Sequence, residues 1–212
     1  ANRILNTTID DIRKAIPKVD VMDRSIKEAG FGTKVTKFKK HITDSGVVKE
    51  LAECDVLFSC VDGAEGRHVL NLISSFYLIP LYDLGVKFYA DGSGGIDGIY
   101  GSVHYVLPGE SSLLSRGQYT IEALMAESMK RLNPEEYWSR QRQGYLSNVN
   151  ESSPAVISIN MQVSSTAIND FLNRLHPFRN VPNEEVSIIR LIFGELSMIY
   201  ELDKQPCVYF GK

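Results

Sequence analysis

Three cysteines, Cys54, Cys60 and Cys207, are too few and too scattered in 212 residues for a disulfide framework. No apolar run approaches the roughly 18 residues that a membrane span needs. Basic excess is missing as well. The 23 Lys and Arg stand against 26 Asp and Glu, a net charge of -3, so the positive footprint of a nucleic-acid binder is absent. No G-x-G-x-x-G run opens a helix after a strand, and His41, His68, His104 and His176 show no ligand spacing. There is no repeat and no low-complexity tract. A cytoplasmic protein is expected, with neither nucleic acid nor membrane as partner.

What is present suffices for one good core, since 43% of the residues are hydrophobic. The chain is organised around Asp55 to Asn71, DVLFSCVDGAEGRHVLN. The run Val56-Leu57-Phe58 predicts a central parallel strand buried on both faces, over Asp55 to Cys60. Asp62 and Gly63 follow in a loop, and an amphipathic helix starts near Arg67. Ligands in open α/β sheets lie beyond the carboxyl ends of such strands, which is where Asp62 falls.

Before this stretch, apolar residues at intervals of three and four predict helices from Thr8 to Ala29, broken at Pro17 and stopped by Gly30. Val35 to Ile42 alternates like a strand, and Val47 to Glu53 is a short helix. After it come a strand from Ile79 to Leu84 and a hairpin of Val86 to Ala90 with Ile99 to Leu107 around the turn Gly92 to Gly98. Helices follow from Thr120 to Leu132, Pro134 to Gln143 and Val156 to Leu175, with 144–153 as loop. Strands from Glu185 to Phe193 and Glu195 to Leu202 close the chain. The class is α/β: a Rossmann-like, mostly parallel sheet with flanking helices, continued by an antiparallel hairpin. Three parts are expected: a core with its hairpin over 1–110, a helical crossover insertion over 111–153, and a late helix with strands over 154–212.

Read by themselves, the polar residues leave alternatives open. Asp62 is either a Mg²⁺ ligand, for which one or two carboxylates suffice, or a turn former beside Gly63. Arg67 either contacts nucleotide or pairs with the Asp62 loop, and Asn71 reads as a buried hydrogen-bonding residue. The cluster Lys34 to Lys40 is either a solvated strand face or a contact for an anionic partner. Cys54 and Cys60 read as small buried hydrophobes.

The segment D-G-A-E-G-R from Asp62 to Arg67, after a hydrophobic strand and before V-L-N, resembles the D-N-x-x-x-R segment of the ThiF/MoeB superfamily. Asn2-Arg3 resembles the end of that family's N-x-N-R segment, and Pro17-Lys18-Val19 its P-K-V segment. Gly85 with Gly101-Ser102-Val103 to Pro108-Gly109 resembles its hairpin, and Pro154-Ala155-Val156 the start of its late helix. The order of these pieces covers nearly the whole chain. Two departures stand out: Ser59 replaces the first acidic residue of the family's D-x-x-D-N run, and Gly63 replaces its asparagine.

The resemblance implies ATP-Mg-dependent adenylation of the C-terminus of a ubiquitin-like or small sulfur-carrier-type protein. It places Asp62 on the metal, Arg3 and Lys18 on phosphates, and Asn2 and Arg67 beside the nucleotide, with Lys14 as a competitor for Lys18. It also implies that the nucleotide-binding glycine loop lies ahead of Asn2, so this chain reads as a fragment. The family's first C-x-x-C zinc pair is replaced at Ser111-Ser112-Leu113-Leu114 and Cys207 stands alone, so no zinc site is expected. A non-catalytic binding or scaffold module and a nucleotide-cofactor oxidoreductase are the alternatives. A missing N-terminal segment or a second copy is expected to cover the exposed sheet. A homodimer through the stripe Ile157, Met161, Ser164, Ile168 and Leu172 is the related expectation.

Overall fold

The computed structural model describes residues 6–93, 95–142 and 156–210. Asn2, Arg3, the loop 144–153 and Pro154-Ala155 lie outside the described residues. The expected helix break is present: α1 (Ile9–Arg13) ends before Pro17, and α2 (Lys18–Ala29) starts immediately after it. Thr8 and Asp11 form a reciprocal capping box at α1. Gly30 closes α2 in the left-handed region, with φ 76°.

Val35 to Ile42 is a correction. It is not a strand, because a ladder needs a partner strand and the segment has none among the described residues. It runs instead along α2 and is held by charge. Lys37 reaches Asp20 at 2.8 Å and Asp23 at 2.6 Å, and Lys39 reaches Asp20 at 2.6 Å. Lys40 pairs with Asp44 at 3.0 Å. The basic cluster is therefore largely neutralised from within the chain.

After α3 (Ser45–Leu51) comes β1 (Leu57–Ser59), then α4 (Ala64–Tyr77), β2 (Leu81–Ala90) and β3 (Ile96–Val106). Helices α5 (Ile121–Leu132), α6 (Pro134–Arg142) and α7 (Ile157–Leu175) precede β4 (Ile188–Ile192) and β5 (Ser197–Glu201). The five strands form one sheet in chain order. β1 and β2 are parallel, and the later pairs are antiparallel. The mixed α/β class and the antiparallel continuation are as expected; among the described residues the parallel part is the β1–β2 pair. The two strands expected on either side of Gly85 are one, β2, because β3 pairs with it continuously past that glycine.

Strand β1 stands at the edge of the described sheet rather than at its centre. Its Phe58 is 37% exposed and stacks on Tyr82 at 5.0 Å. One sheet face carries Leu57, Leu81 and Val106 against Leu70 and Ile73 of α4. The other carries Tyr82, Val103, Ile189 and Leu191 against Val163 and Ala167 of α7. A buried knot anchors the C-terminal half of α7, where Asp170 accepts from Tyr82, Arg174 and Arg179. No helix among the described residues is long and apolar enough to cross a membrane.

Candidate functional site

Asp62 lies three residues past the end of β1 and immediately ahead of the N-cap Gly63 of α4. It is exposed, and among the described residues it makes no hydrogen bond or ion pair. A carboxylate left in water at a strand end beside a helix start is available to a cation. Mg²⁺ needs one or two carboxylates and takes its other ligands from phosphates and water, so Asp62 fits that role. Among the described residues no group of three or more His, Cys, Asp or Glu gathers into an all-protein cage.

The first turn of α4 leaves backbone N–H groups without helical partners. Here a side chain from another helix meets them. Glu127 of α5 accepts from Ala64 N at 3.0 Å and from Glu65 N at 2.9 Å. Arg131, one turn further along α5, donates to Glu65 at 2.7 Å and holds its carboxyl below the usual range. Ser128 donates to Glu65 as well. Gly63 gives this docking room, because a Cβ there would stand 2.8 Å from Glu127 Oε2 at the mobile end of that side chain. The glycine at the family's asparagine position thus has a local cause.

Arg67 does not pair with the Asp62 loop. Its Nε donates to both carboxylate oxygens of Asp83, at 3.2 and 3.1 Å. Asp83 is fully buried on β2, directly opposite Ser59 in the β1–β2 register. Ser59 Oγ donates to Asp83 Oδ1 at 2.5 Å. Burial pushes the Asp83 carboxyl up, while Arg67 and Ser59 draw it back down, and burial prevails. One strand further, opposite Asp83, His104 of β3 is also fully buried, and neither ring nitrogen has a partner among the described residues. Burial, reinforced by Arg116, Arg190, Arg67 and Lys87, brings its imidazole down to about 3, so it is neutral.

Along the same sheet face lies a cavity of about 380 Å³, lined by Lys87, Tyr100, Ser102, Gln118 and Arg190 among others. Arg190 is paired with Glu201 at 2.6 Å. Lys87 has no ion-pair partner among the described residues.

The structure places Asp62 just ahead of the N-cap of α4 and Arg67 at the fourth residue of that helix. Lys18, at the first position of α2, is exposed, and no hydrogen bond or ion pair links it to either of them. Asn71 is fully buried, and its Oδ1 accepts from Leu113 N at 3.2 Å. Cys54 and Cys60 are exposed, not buried as expected, because β1 is short and its ends leave the core. Cys207 is buried. Burial raises its thiol, but Ser112, the amides of Tyr209 and Phe210, and Ser115 outweigh that and leave it lowered. The hydroxyls facing Cys207 are thus Ser112 and Ser115, a pair with the S-x-x-S spacing. Asp83 and Glu127 were not singled out by sequence reasoning. The signal for Asp83 was a charge inside the apolar run of a strand.

The ThiF family model matches residues 1–186. The E. coli MccB structure with ATP superposes with a TM-score of 0.63 at 12% identity, covering 100% of this chain and 54% of that one. MccB with AMPCPP and MccA gives 0.61 at 12%, covering 98% and 53%. PaaA gives 0.54 at 12%, covering 94% and 59%. The chain spans about half the length of the MccB chains it matches, 53% and 54%. No curated protein matches it in sequence.

Proposed function

The chain belongs to the ThiF family, and from that premise we propose that the whole protein uses ATP and Mg²⁺ to adenylate the C-terminus of a ubiquitin-like or small sulfur-carrier-type protein. The observation that carries this reading is Asp62, exposed and, among the described residues, unpaired just past the end of β1. In this role Asp62 holds Mg²⁺, which neutralises phosphate charge. Lys18 and Arg3 meet the phosphates, and Arg67 and Asn2 lie beside the nucleotide. Positioning and charge stabilisation are what such nucleotidyl transfer requires of a protein. MccB has been solved with ATP, and with AMPCPP and MccA together, which supports a nucleotide and a second molecule sharing this fold. In the cavity, Lys87 is the cation left for an acidic acceptor terminus, since Arg190 pairs with Glu201 and Asp97 also lines it.

The direct test is ATP–pyrophosphate exchange by the full-length protein, dependent on an acceptor with a terminal glycine. Asp62→Ala is expected to abolish it. Absence of exchange with every candidate acceptor overturns the reading, and so does exchange undiminished in Asp62→Ala.

One observation favours a second reading, a non-catalytic binding or scaffold module: the Glu127 carboxylate already occupies the α4 amides where an anion would dock. In that case full-length protein binds its partner with no nucleotide requirement. The proposal also includes a homodimer through the outer stripe of α7, where Met161, Ile168 and Leu172 are 49%, 46% and 43% exposed. Light scattering after size exclusion reads it directly.

A further inference from the structure

We propose that Asp83 is the residue that positions Arg67, turning its guanidinium toward an anionic group bound over Gly85. The inference rests on the nucleotide reading above. It begins from the manner of pairing. A carboxylate that holds an arginine end-on occupies the terminal nitrogens, whereas Asp83 takes only Nε, with both oxygens at 3.1–3.2 Å. Nη1 and Nη2 therefore carry no hydrogen bond among the described residues, and they are the pair suited to grip a phosphate or carboxylate in parallel.

Gly85 marks where one of them, Nη2, lies. A Cβ at that position would lie 3.8 Å from Arg67 Nη2 and 3.3 Å from Ser102 Oγ. The bare backbone leaves a gap with a guanidinium on one side and a hydroxyl on the other. Ser102 also lines the cavity bordered by Lys87, Arg190 and Asp97, so the gap adjoins that cavity through Ser102. Arg67 itself has only 14% of its side-chain surface exposed. Asp83 is fully buried and further fixed by Ser59. A fully buried acid held on both sides does not wander, and what it holds is held in one orientation.

Position 59 braces the acid at 83. The two residues are register partners on neighbouring parallel strands, so their side chains rise from the same sheet face side by side. With serine at 59, the acid comes from the adjacent strand and the hydroxyl braces it. The pair of positions supplies one carboxylate, and the device is its placement against Nε of Arg67.

The test uses the full-length protein with ¹⁵N-labelled arginine. Arg67 Nε–H is expected to give a slowly exchanging resonance in the wild type, to lose it in Asp83→Ser, and to recover it in the double variant Ser59→Asp with Asp83→Ser. ATP-Mg titration is expected to weaken by about tenfold in Asp83→Ser and to recover in the swap. Thermal melting of each variant separates misfolding from misplacement, and the swap keeps one buried acid if Asp83→Ser unfolds. On an Arg67→Ala background, Asp83→Ser should weaken ATP-Mg binding no further. Wild-type protein that shows the Nε–H signal but no ATP-Mg binding overturns the nucleotide reading. It overturns the anion role of Asp83 with it, unless pyrophosphate alone shows the same Asp83 dependence. ATP-Mg binding that is equal in wild type and folded Asp83→Ser, or a swap that melts normally without restoring binding, overturns the positioning role alone.

Discussion

Glu127 of α5 stands where a side chain at Gly63 would project, its Oε2 2.8 Å from the position of a Gly63 Cβ. The backbone at Gly63, φ -100° and ψ 156°, suits any residue, so only space argues for glycine. Gly63→Asn is expected to displace Glu127 from the amides of Ala64 and Glu65. Asparagine is a good N-cap in its own right, so α4 keeps its first turn and α5 loses an anchor. The cost is about 1–3 kcal/mol for the charge-assisted bonds, or several degrees in melting temperature for a chain of this size. Hydrogen exchange should rise in α5 and not in α4, and Gly63→Asn should cost little more once Glu127→Ala has been made. Additive effects of the two changes would refute the coupling.

His104 presents two buried ring nitrogens without partners among the described residues, and unpartnered buried polar atoms are destabilising. His104→Leu is therefore expected to leave the melting temperature unchanged or to raise it. The pH sign can be worked out. The folded-state value, about 3, lies below the ordinary 6.5, so between those values the unfolded chain binds the extra proton and stability falls as pH falls. The slope approaches about 1.4 kcal/mol per pH unit for one proton. In His104→Leu that part of the acid-side loss disappears. An unchanged stability–pH curve would show that the imidazole is not neutral in the fold.

What was legible in the sequence was local. The break at Pro17, the left-handed cap at Gly30 and the Thr120 cap on Ala123 N each depend on residues a turn or less apart. Asp62 was legible because a strand end and a helix start bracket it. Asp83 and Glu127 were not, since their partners are distant in the chain: Ser59 is 24 positions from Asp83, and Ala64 is 63 from Glu127. Only the sheet register and the docking of α5 bring them together. At Val35 to Ile42 the alternation was real, but its lysines face Asp20 and Asp23 of α2 and not water on a ladder. Periodicity reports which side of a segment is polar, and here the polar side meets another helix.

The N-terminal unit should be acid-labile. Asp11 is drawn well below the ordinary carboxylate range by Arg24, with Thr8 assisting. Asp20 and Asp23 are lowered by Lys37, together with Lys39 and Lys27. A carboxyl lowered in the folded state stabilises above its unfolded value and loses that contribution as pH falls through it, here below about pH 4. Limited proteolysis at about pH 3 should therefore cut 30–42 and loosen α1 and α2 before the sheet opens, and 1 M salt should produce a weaker version at neutral pH. Loss of the sheet and of α2 together at acid pH would contradict this order.

Asp170 carries the largest single stability effect expected outside the site. Its side chain is 1% exposed and meets Arg174 at 2.8 Å and Arg179 at 2.5 Å. Tyr82 donates to it at 3.1 Å from β2. Removing one partner from a buried ion pair leaves charge without compensation and costs about 3–5 kcal/mol. Asp170→Asn keeps the shape and one acceptor but not the charge, so the lower end of that range is expected, roughly 3 kcal/mol. Part of the loss is softened by Arg174 donating to Val186 O and Asn183 O, and by Arg179 donating to Val181 O. Tyr82→Phe removes only one neutral donor, and about 1 kcal/mol is expected. Denaturant melts of the two variants should therefore rank Asp170→Asn well below Tyr82→Phe. The double variant should lose less than the sum, because both changes act on one carboxylate. Equal losses, or strict additivity, would mean that α7 is held to the sheet by its apolar face against Val103 and Leu191 and that the ionic knot contributes little.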